Sequence, residues 1–376
     1  MRRRIFLATP LLLPTQLRAA AAAAAASPSS LVYPPVVPGV RLVFPRDHGA
    51  HPNFRTEWWY VTGALQTSPS GSADIGFQLT FFRSRPGTAE ALHSPLAASQ
   101  MLFAHAALTL PGDRLQHAER AARANLGASF SSLDCDVAIG AWRIYRQDTR
   151  SGELLHLQVP SPQFSYDFTL TPSQPLLLQG DGGYSRKGHG PQLASYYVSW
   201  PQLQVAGTLV RDGRRQVVSG RAWFDHEWST ALLGDNAVGW DWLGINLFDG
   251  GAVMAFRMRD AAGETLYAHA TWRDAAGHLR QFASAAVSFA PLRRWVSPRN
   301  GASYPVELEI RFGEYRLRTR PLLDDQELST RRPTPVVYWE GLVTVEGSFS
   351  GRGYLEMTGY AGRLRVADHG AGVGAA

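Results

Sequence analysis

The sequence predicts an all-β protein built from two antiparallel β-barrels in tandem. Segments rich in β-branched and aromatic residues recur along the chain, for example at residues 75–82 and 253–258, and several alternate apolar with polar residues. The 36 glycines and 24 prolines leave little room for long helices, and the best helix candidate, residues 118–126, is brief. An internal repeat then divides the strands between two units.

The internal repeat consists of matching motifs at the start and the end of each unit. Residues 219–225 read Ser-Gly-Arg-Ala-Trp-Phe-Asp, and residues 350–356 read Ser-Gly-Arg-Gly-Tyr-Leu-Glu. The openings are also similar, with Glu-Trp-Trp-Tyr-Val-Thr-Gly at 57–63 and Gly-Trp-Asp-Trp-Leu-Gly at 239–244. An up-and-down barrel closes by pairing its first and last strands. We therefore expect each opening motif beside its closing motif, with both pairs facing the junction of the two domains.

The N-terminus has the features of an export signal. Met1 is followed by Arg-Arg-Arg-Ile-Phe-Leu, which is typical of a twin-arginine signal, and three alanines before Ser27 suit a signal peptidase. We predict a twin-arginine signal peptide at residues 1–26 and hence a periplasmic or secreted protein. The two β-barrel domains are predicted at residues 27–230 and 231–376. The alternative for the N-terminus is a disordered alanine-rich tail.

Net charge and cysteine content exclude several classes of function. Four of the 37 basic residues lie in the predicted leader, so 33 basic and 31 acidic residues remain, and the net charge falls from +6 to +2. This balance gives no electrostatic basis for nucleic-acid binding. The single cysteine, Cys135, cannot form an intramolecular disulfide. The absence of a Gly-x-Ser-x-Gly motif argues against the usual serine-hydrolase elbow. Since His-Glu-x-x-His, Cys-x-x-Cys and phosphate-binding glycine-loop motifs are also absent, we expect neither a metal nor an organic cofactor.

The densest polar and aromatic cluster is the run Trp-Phe-Asp-His-Glu-Trp at residues 223–228. Strand alternation places Asp225 and Glu227 on one face and His226 with its aromatic neighbours on the other. A histidine among apolar rings has a lowered pKa, which suits a general acid or base, and nearby rings can stabilise a carbocation. The alternative is a buried pair of His226 and Trp228 that locks the domain junction. The sequence leaves both interpretations open.

Two further carboxyl groups lie among aromatic residues, since Glu57 opens one aromatic run and Asp241 stands between two tryptophans. In an aromatic pocket the pKa of such a group would be raised, and the group could donate a proton. The alternative is an ion pair at the closed end of a barrel, with an arginine such as Arg55 or Arg221 beside Glu57. His105, a lone histidine on a predicted strand, is either a core residue or a catalytic one.

Several motifs resemble those of one family. The run His-Pro-Asn-Phe-Arg-Thr-Glu-Trp-Trp-Tyr-Val-Thr-Gly at residues 51–63 looks like the opening motif of the carotenoid 1,2-hydratase/AttH-like family. The resemblance continues over nearly the whole chain after the leader, and it implies two lipocalin-like β domains, in agreement with the repeat. The later motifs of the family are similar to residues 223–228, 239–242, 338–341 and 353–360.

One branch of that family consists of cofactor-free hydratases that add water to the terminal double bond of acyclic carotenoids. The resemblance implies that His226 and Trp228 match the histidine and tryptophan proposed for this reaction. That branch also has a Tyr-x-Asp pair on a following strand, where this sequence reads Ala255-Phe256-Arg257. The twin-arginine leader resembles the secreted branch of the family.

Three functions are compatible with these features. The first is a binding protein that holds an apolar or amphipathic small molecule, polyene or lipid-like, at the domain junction. The second is a hydro-lyase or hydrolase, with His226 as acid/base, Asp225 or Glu57 as its partner, and Trp228 and Trp240 around a carbocation. The third is a docking component of an envelope transport complex. The predicted ligand-binding residues are Trp58, Tyr60, Trp228, Trp240, Asp241, Trp242 and Tyr354.

Overall fold

The computed structural model describes residues 31–68, 71, 74–87, 97–112, 115–330 and 335–364. The predicted signal peptide lies outside the described residues. Within them the chain is mostly β-strand, with short 3-10 helices at Arg46–His48 and Ser284–Ala286. None of the described helices is long and apolar enough to cross a membrane. The prediction of an all-β protein is confirmed.

The first sheet closes on itself as a barrel. Its strands are β1 (Thr56–Gln66), β2 (Ile75–Ser84), β3 (Met101–Thr109), β4 (Gln116–Ala124), β5 (Gly127–Phe130), β6 (Asp136–Ile139), β7 (Trp142–Thr149), β8 (Gly152–Pro160), β9 (Phe164–Pro172), β10 (Leu177–Leu178), β11 (Tyr184–Arg186), β12 (Ala194–Arg211) and β13 (Arg214–Ala231). Strands β1 to β9 pair in order, β13 pairs with β1, and β12 closes the ring between β13 and β9. The short strands β10 and β11 pair with β12.

The second sheet curls into an open barrel. Its strands are β14 (Gly239–Leu247), β15 (Ala252–Arg259), β16 (Thr265–Arg273), β17 (Leu279–Phe282), β18 (Val287–Val296), β19 (Ser303–Phe312), β20 (Tyr315–Pro321), β21 (Glu327–Thr330), β22 (Val336–Gly347) and β23 (Gly351–Thr358). The order is β17-β16-β15-β14-β23-β22-β20-β19-β18, and β21 pairs with β22. Since β14 pairs with β23 as β1 pairs with β13, first and last strands meet in both units. The prediction of two lipocalin-like barrels is confirmed.

The predicted helix at residues 118–126 is wrong, because most of that segment belongs to strand β4. Its alanines and arginines have a high helix propensity. Strand β4 nevertheless pairs antiparallel with β3 over its length, from Met101 opposite Arg123 to Leu108 opposite Gln116. Hydrogen bonding to a neighbouring strand therefore outweighs the local preference.

Strand alternation produces three apolar layers. Trp59 and Val61 lie in the core of the first barrel, and Trp339 lies in the core of the second. A third cluster lies between the sheets and includes Tyr60 and Trp242. Neighbours such as Trp59 and Tyr60 reach different layers because successive side chains of a strand point to opposite faces. The functional site lies at this middle layer.

Candidate active site at the junction of the sheets

A cavity of about 420 Å³ lies between the two sheets, and we call it the junction cavity. Small-molecule sites have volumes of roughly 300–1,000 Å³. Most of the wall is apolar, so the cavity suits an apolar or amphipathic molecule. Its aromatic lining comes from both sheets and consists of Trp58, Tyr60, Phe82, Phe103, Tyr197, Trp240, Trp242, Phe256 and Tyr338.

The neighbouring strands β1 and β13 supply one polar part of the wall. Tyr60 opposes Asp225, and Trp58 opposes Glu227, and all four residues line the junction cavity. The side chain between these two acids, His226, points to the other face of the strand. Alternation therefore directs the two acids into the cavity and the histidine into the first barrel.

Asp225 is buried and accepts three hydrogen bonds. Tyr197 Oη donates at 2.7 Å, Ser199 Oγ at 2.6 Å and Trp223 Nε1 at 2.6 Å. Burial, with a further contribution from the charge of Glu227, raises the pKa of Asp225 to about 7, although the three donors oppose this shift. Near neutral pH this carboxyl group can therefore gain or lose a proton.

Lys187 brings a buried cation into the same cavity. Its Nζ atom lies 2.8 Å from Glu227 Oε1, and both side chains are almost fully buried. The ammonium group also lies over the rings of Tyr197 and Phe256, at 4.6 Å and 4.4 Å from their centroids. These are cation–π distances. Lys187 thus balances the charge of one of the carboxyl groups that line the cavity.

Two carboxyl groups of the second sheet face each other across neighbouring strands. Glu340 on β22 and Glu356 on β23 are Cα partners, and both line the cavity. Burial and the charge of Glu356 raise the pKa of Glu340 well above its ordinary value. Burial also raises the pKa of Glu356 to about 7, although Trp240 Nε1 donates a hydrogen bond to it at 3.2 Å. Glu340 therefore holds a proton at neutral pH, and Glu356 can ionise.

His105 is the one histidine that lines the junction cavity in the described part of the chain. Its Nδ1 atom lies 2.8 Å from Tyr338 Oη, so the pair links the first sheet to the second. Burial and, to a lesser extent, His117 lower the pKa of His105 to about 3. The imidazole is therefore neutral at physiological pH, and its buried Nε2 atom has no hydrogen-bond partner among the described residues.

The structure brings together some of the predicted site residues and separates others. The predicted residues that line the cavity are Trp58, Tyr60, Asp225, Trp240 and Trp242. Of the others, Tyr354 packs in the apolar cluster between the sheets. The predicted residues that belong to buried groups outside the cavity lining are Glu57, His226, Trp228 and Asp241.

Glu57 and His226 belong to a buried network around Arg83. His226 Nε2 lies 2.9 Å from Glu57 Oε1, Arg83 Nε donates to Glu57 Oε2 at 2.7 Å, and His51 Nδ1 lies 2.8 Å from Glu57 Oε1. Burial would raise the pKa of Glu57, but Arg83 and the two histidines hold it well below its ordinary value. Burial lowers the pKa of His226. Trp228 stacks on His51 with ring centroids 3.7 Å apart.

The same network is the place where described residues could hold a metal ion. One ligand atom each from His51, Glu57 and His226 lies within 4.8 Å of the others. These atoms already engage one another in hydrogen bonds, and the Arg83 guanidinium also contacts the carboxylate of Glu57. A positive charge at that distance opposes the binding of a second cation. Hydrogen bonding among His51, Glu57 and His226 therefore accounts for the short distances between their side chains.

Asp241 repeats the arrangement of Glu57 in the second sheet. Arg257 Nε and Arg259 Nε donate to its carboxylate at 2.7 Å and 3.0 Å. Glu57 and Arg83 are Cα partners across β1 and β2, and Asp241 and Arg257 are Cα partners across β14 and β15. For both acids the sequence left two roles open, a proton donor and a partner of arginine in an ion pair. The structure pairs each of them with arginine. The arginine beside Glu57 is Arg83 on the neighbouring strand β2, whereas the suggested partner Arg221 is exposed and donates to Ser173.

The sequence prediction missed Lys187, Tyr197, Glu340 and Glu356, all of which line the cavity. The repeat itself contains a signal for Glu356, because Asp225 and Glu356 end the two matching motifs. Lys187 lies in a glycine-rich stretch between β11 and β12, where no motif marks it. Its contact with Glu227 arises from tertiary packing alone.

Comparisons with known proteins agree with this architecture. The AttH-like family model matches residues 35–360. The crystal structure of a protein described as AttH, from Nitrosomonas europaea, is 45% identical with a TM-score of 0.80, and the match covers 87% of this chain and 99% of that one. Kievitone hydratase from Nectria haematococca shares the fold at 14% identity, with a TM-score of 0.64 over 89% of this chain and 97% of that one. No curated protein matches the sequence. With the family match spanning almost all of the described residues, the chain belongs to the AttH-like family.

Proposed function

We propose that this protein is a hydro-lyase that adds water to, or removes water from, an apolar or amphipathic molecule held in the junction cavity. The observation that carries the proposal is the pair of Glu340 and Glu356, two buried carboxyl groups that face each other in the wall of an aromatic cavity. Kievitone hydratase shares the fold, but a fold can support many activities. The proposal therefore rests on the carboxyl pair.

Hydration of a carbon–carbon double bond begins with the transfer of a proton to one alkene carbon. A protonated Glu340 can supply that proton, so that the alkene π electrons form the new C–H bond and a carbocation remains on the neighbouring carbon. Burial keeps the proton on Glu340 at neutral pH by raising its pKa. The aromatic rings of Trp58 and Trp242, which line the cavity, can stabilise the cation.

The second step is the attack of water on the carbocation, which forms the C–O bond. The attacking water must lose a proton, and ionised Glu356, whose pKa is about 7, can accept it. Transfer of that proton to Glu340 restores the starting state. Two carboxyl groups with different pKa values form the usual acid and base of such a cycle. The reverse order of steps removes water.

The experiment that tests this proposal is an isotope assay. The full protein is incubated in oxygen-18 water with an acyclic carotenoid or with kievitone, and mass spectrometry follows incorporation of the heavy oxygen at the double bond. We expect Glu340→Gln to lower the rate by about 10²–10⁴-fold. The matched control is Glu346→Gln, an exposed glutamate on the same strand, which should leave the rate unchanged. No incorporation, or an unchanged rate in Glu340→Gln, would contradict the proposal.

A binding protein without turnover is the second candidate, and the mostly apolar lining of the cavity favours it. Mass spectrometry of an organic extract of protein from its native host separates the two functions. One unmodified lipid or polyene would support the binding protein. A ligand recovered together with its hydrated form would support the hydro-lyase. The docking role in an envelope transport complex stays a prediction, tested by pull-down from envelope extracts.

We also propose that the protein is exported by the twin-arginine route to the periplasm or beyond. Arg3, Arg4, Phe6 and Leu7 support this proposal, together with the alanines before Ser27. Cell fractionation tests it. Replacement of Arg3 and Arg4 by lysine should retain the protein in the cytoplasm, whereas the unaltered chain should appear in the periplasm or medium in shortened form. Cytoplasmic retention of the unaltered chain would contradict export.

A further inference from the structure

The wall of the junction cavity carries an excess of acidic groups. The described carboxyl groups that line it are Asp225, Glu227, Glu340 and Glu356. Lys187 is the one ammonium group among the described lining residues, and it pairs with Glu227. A buried carboxylate without a compensating charge is costly. The cavity can lower this cost either by protonating the carboxyl groups or by binding a cation.

Lys187 shows how the cavity holds an alkylammonium group. Its Nζ atom contacts Glu227 at 2.8 Å and lies over the rings of Tyr197 and Phe256. A carboxylate and aromatic faces are the groups that recognise organic ammonium ions in proteins. The lysine side chain is therefore an internal example of the ligand chemistry that this wall favours.

Aromatic residues also lie beside Glu356 and Glu340, and among the described lining residues no cationic side chain is paired with these two groups. Trp240 donates to Glu356, and Trp242 is the Cα partner of Glu356 on the adjacent strand. Glu340 is only 2% exposed, and its Oε1 atom has no hydrogen-bond partner in the described part of the chain. The hydroxyl of Tyr60, which also lines the cavity, makes no hydrogen bond of ordinary geometry to a described residue, but it interacts with the Glu340 carboxyl group and lowers the pKa of that group.

We infer that the junction cavity binds amphipathic organic cations, with an alkylammonium head group beside Glu340 and Glu356 as the Lys187 head group lies beside Glu227. The alkyl chain would contact the apolar wall that includes Phe82. This inference goes beyond the proposed hydro-lyase activity, since binding of the cation requires no turnover. The ligand also has the charge of the carbocation in the proposed reaction, so it should compete with the substrate.

Binding of such a cation is coupled to the release of protons. Because the pKa values of Asp225 and Glu356 are both about 7, each group is partly protonated at neutral pH. A cation favours the ionised carboxylate, so its affinity rises with pH. One carboxyl group with a pKa of about 7 makes binding about tenfold tighter at pH 8 than at pH 6. The other titratable groups that face the cavity are Tyr60, His105, Lys187, Tyr197, Glu227, Tyr338 and Glu340.

Isothermal titration calorimetry on the full protein tests this inference with three probes of one chain length: octyltrimethylammonium, 1-octanol and octanoate. We expect the ammonium probe to bind at least about tenfold more tightly than octanol, a difference of about 1.4 kcal/mol, and octanoate to bind most weakly. Only the affinity of the ammonium probe should rise between pH 6 and pH 8. Equal affinity for the ammonium probe and octanol, or no rise with pH, would overturn the inference.

Variants locate the head group. Glu356→Gln should weaken the ammonium probe about tenfold or more and leave octanol binding intact, which shows that the cavity is preserved. Glu340→Gln replaces a carboxyl group that already holds its proton, so it should change the affinity for the ammonium probe less than Glu356→Gln does. Glu346→Gln is the exposed control and should bind as the unaltered protein does. The three probes on the unaltered protein decide the question even where a variant fails to fold. A protein that prefers the ammonium probe but hydrates no alkene would support this inference and contradict the hydro-lyase. A protein that hydrates an alkene but shows no preference for the ammonium probe would support the hydro-lyase and contradict this inference.

Discussion

Asp225 and Glu356 end the two matching motifs of the internal repeat, and both carboxyl groups line the cavity between the sheets. Burial raises the pKa of each to about 7. The charge of Asp225 also contributes to the raised pKa of Glu356, so the two acids interact across the junction. Each sheet thus contributes one acid, from equivalent positions of the repeat, to the wall of the same cavity. Neither sheet alone would form this cavity.

The first prediction concerns the pH dependence of stability through Glu356. Its pKa is 4.5 in the unfolded chain and about 7 in the folded protein, so the folded state binds more protons between these values. The stabilisation is complete below pH 4.5 and is lost as the pH rises through 7. In the unaltered protein this loss lowers the free energy of unfolding by on the order of 3 kcal/mol between pH 4.5 and pH 8. We expect Glu356→Gln to lack this decline.

Urea denaturation at several pH values checks this prediction, with Glu346→Gln as the control. Each variant is compared with the unaltered protein at the same pH, because buried histidines also make the free energy of unfolding depend on pH. For His105, with a pKa of about 3, this free energy rises rather than falls as the pH increases toward 6.5. The control should follow the unaltered protein at every pH. Parallel curves for Glu356→Gln and the unaltered protein would show that the carboxyl group of Glu356 has an ordinary pKa.

The second prediction concerns the buried pair of Lys187 and Glu227. Lys187→Met leaves Glu227 buried without its partner, and we expect the free energy of unfolding to fall by about 3–5 kcal/mol. The double variant Lys187→Met/Glu227→Gln should recover most of that loss, because neither charge then remains. Arg280→Met, which breaks an exposed pair with Glu314, should cost less than about 1 kcal/mol. Similar losses for the buried and the exposed pair would contradict the proposed burial.

Much of the fold could be predicted from the sequence because it depends on local pattern. Alternation within residues 223–228 correctly separates Asp225 and Glu227 from His226, and the repeat correctly pairs the first strand of each unit with its last. The helix candidate at residues 118–126 was wrong because helix propensity carries no information about a neighbouring strand.

The site could be predicted only in part. Alternation shows which side chains share a face of β13, but it does not say which face meets the second sheet. That depends on how the two sheets pack, and the structure turns Asp225 rather than His226 toward the cavity. Lys187 and Glu340 could not be identified for the same reason, since each becomes a site residue only through partners distant in sequence.

The third prediction concerns Tyr197, whose hydroxyl bridges the two sheets. It accepts a hydrogen bond from Trp242 Nε1 at 2.9 Å and donates one to Asp225 at 2.7 Å. Tyr197→Phe removes one hydrogen bond from each of two buried groups, Trp242 Nε1 and the carboxyl group of Asp225. We therefore expect a loss of about 1–3 kcal/mol in the free energy of unfolding. Tyr184→Phe, at a long and exposed hydrogen bond, should change stability by less than about 0.5 kcal/mol.

Titration of the Asp225 carboxyl by NMR provides a second readout of the same variant. The hydrogen bond from Tyr197 favours the ionised form of Asp225, so its removal should raise the pKa of Asp225 further. An unchanged pKa together with unchanged stability would show that the Tyr197 bridge is absent in solution.

The last prediction concerns His226, for which the sequence left a catalytic and a structural role open. The imidazole is fully buried, its Nε2 atom contacts Glu57 at 2.9 Å, and its Nδ1 atom lies 3.1 Å from the backbone oxygen of Asp47. The ring also stacks on Trp59, with centroids 4.8 Å apart. Because these contacts hold the first barrel together, His226→Ala should lower the free energy of unfolding by about 3 kcal/mol.

At a temperature where His226→Ala is folded, we expect its affinity for octanol and its turnover per folded molecule to stay within about tenfold of the unaltered protein. His278→Ala, at an exposed histidine, should affect neither stability nor binding. Calorimetry and the oxygen-18 assay measure these quantities on the same samples. A variant that keeps its stability and its octanol affinity but loses turnover would instead identify His226 as the acid or base of the reaction. The Glu340 and Glu356 pair would then have to act on ligand binding alone.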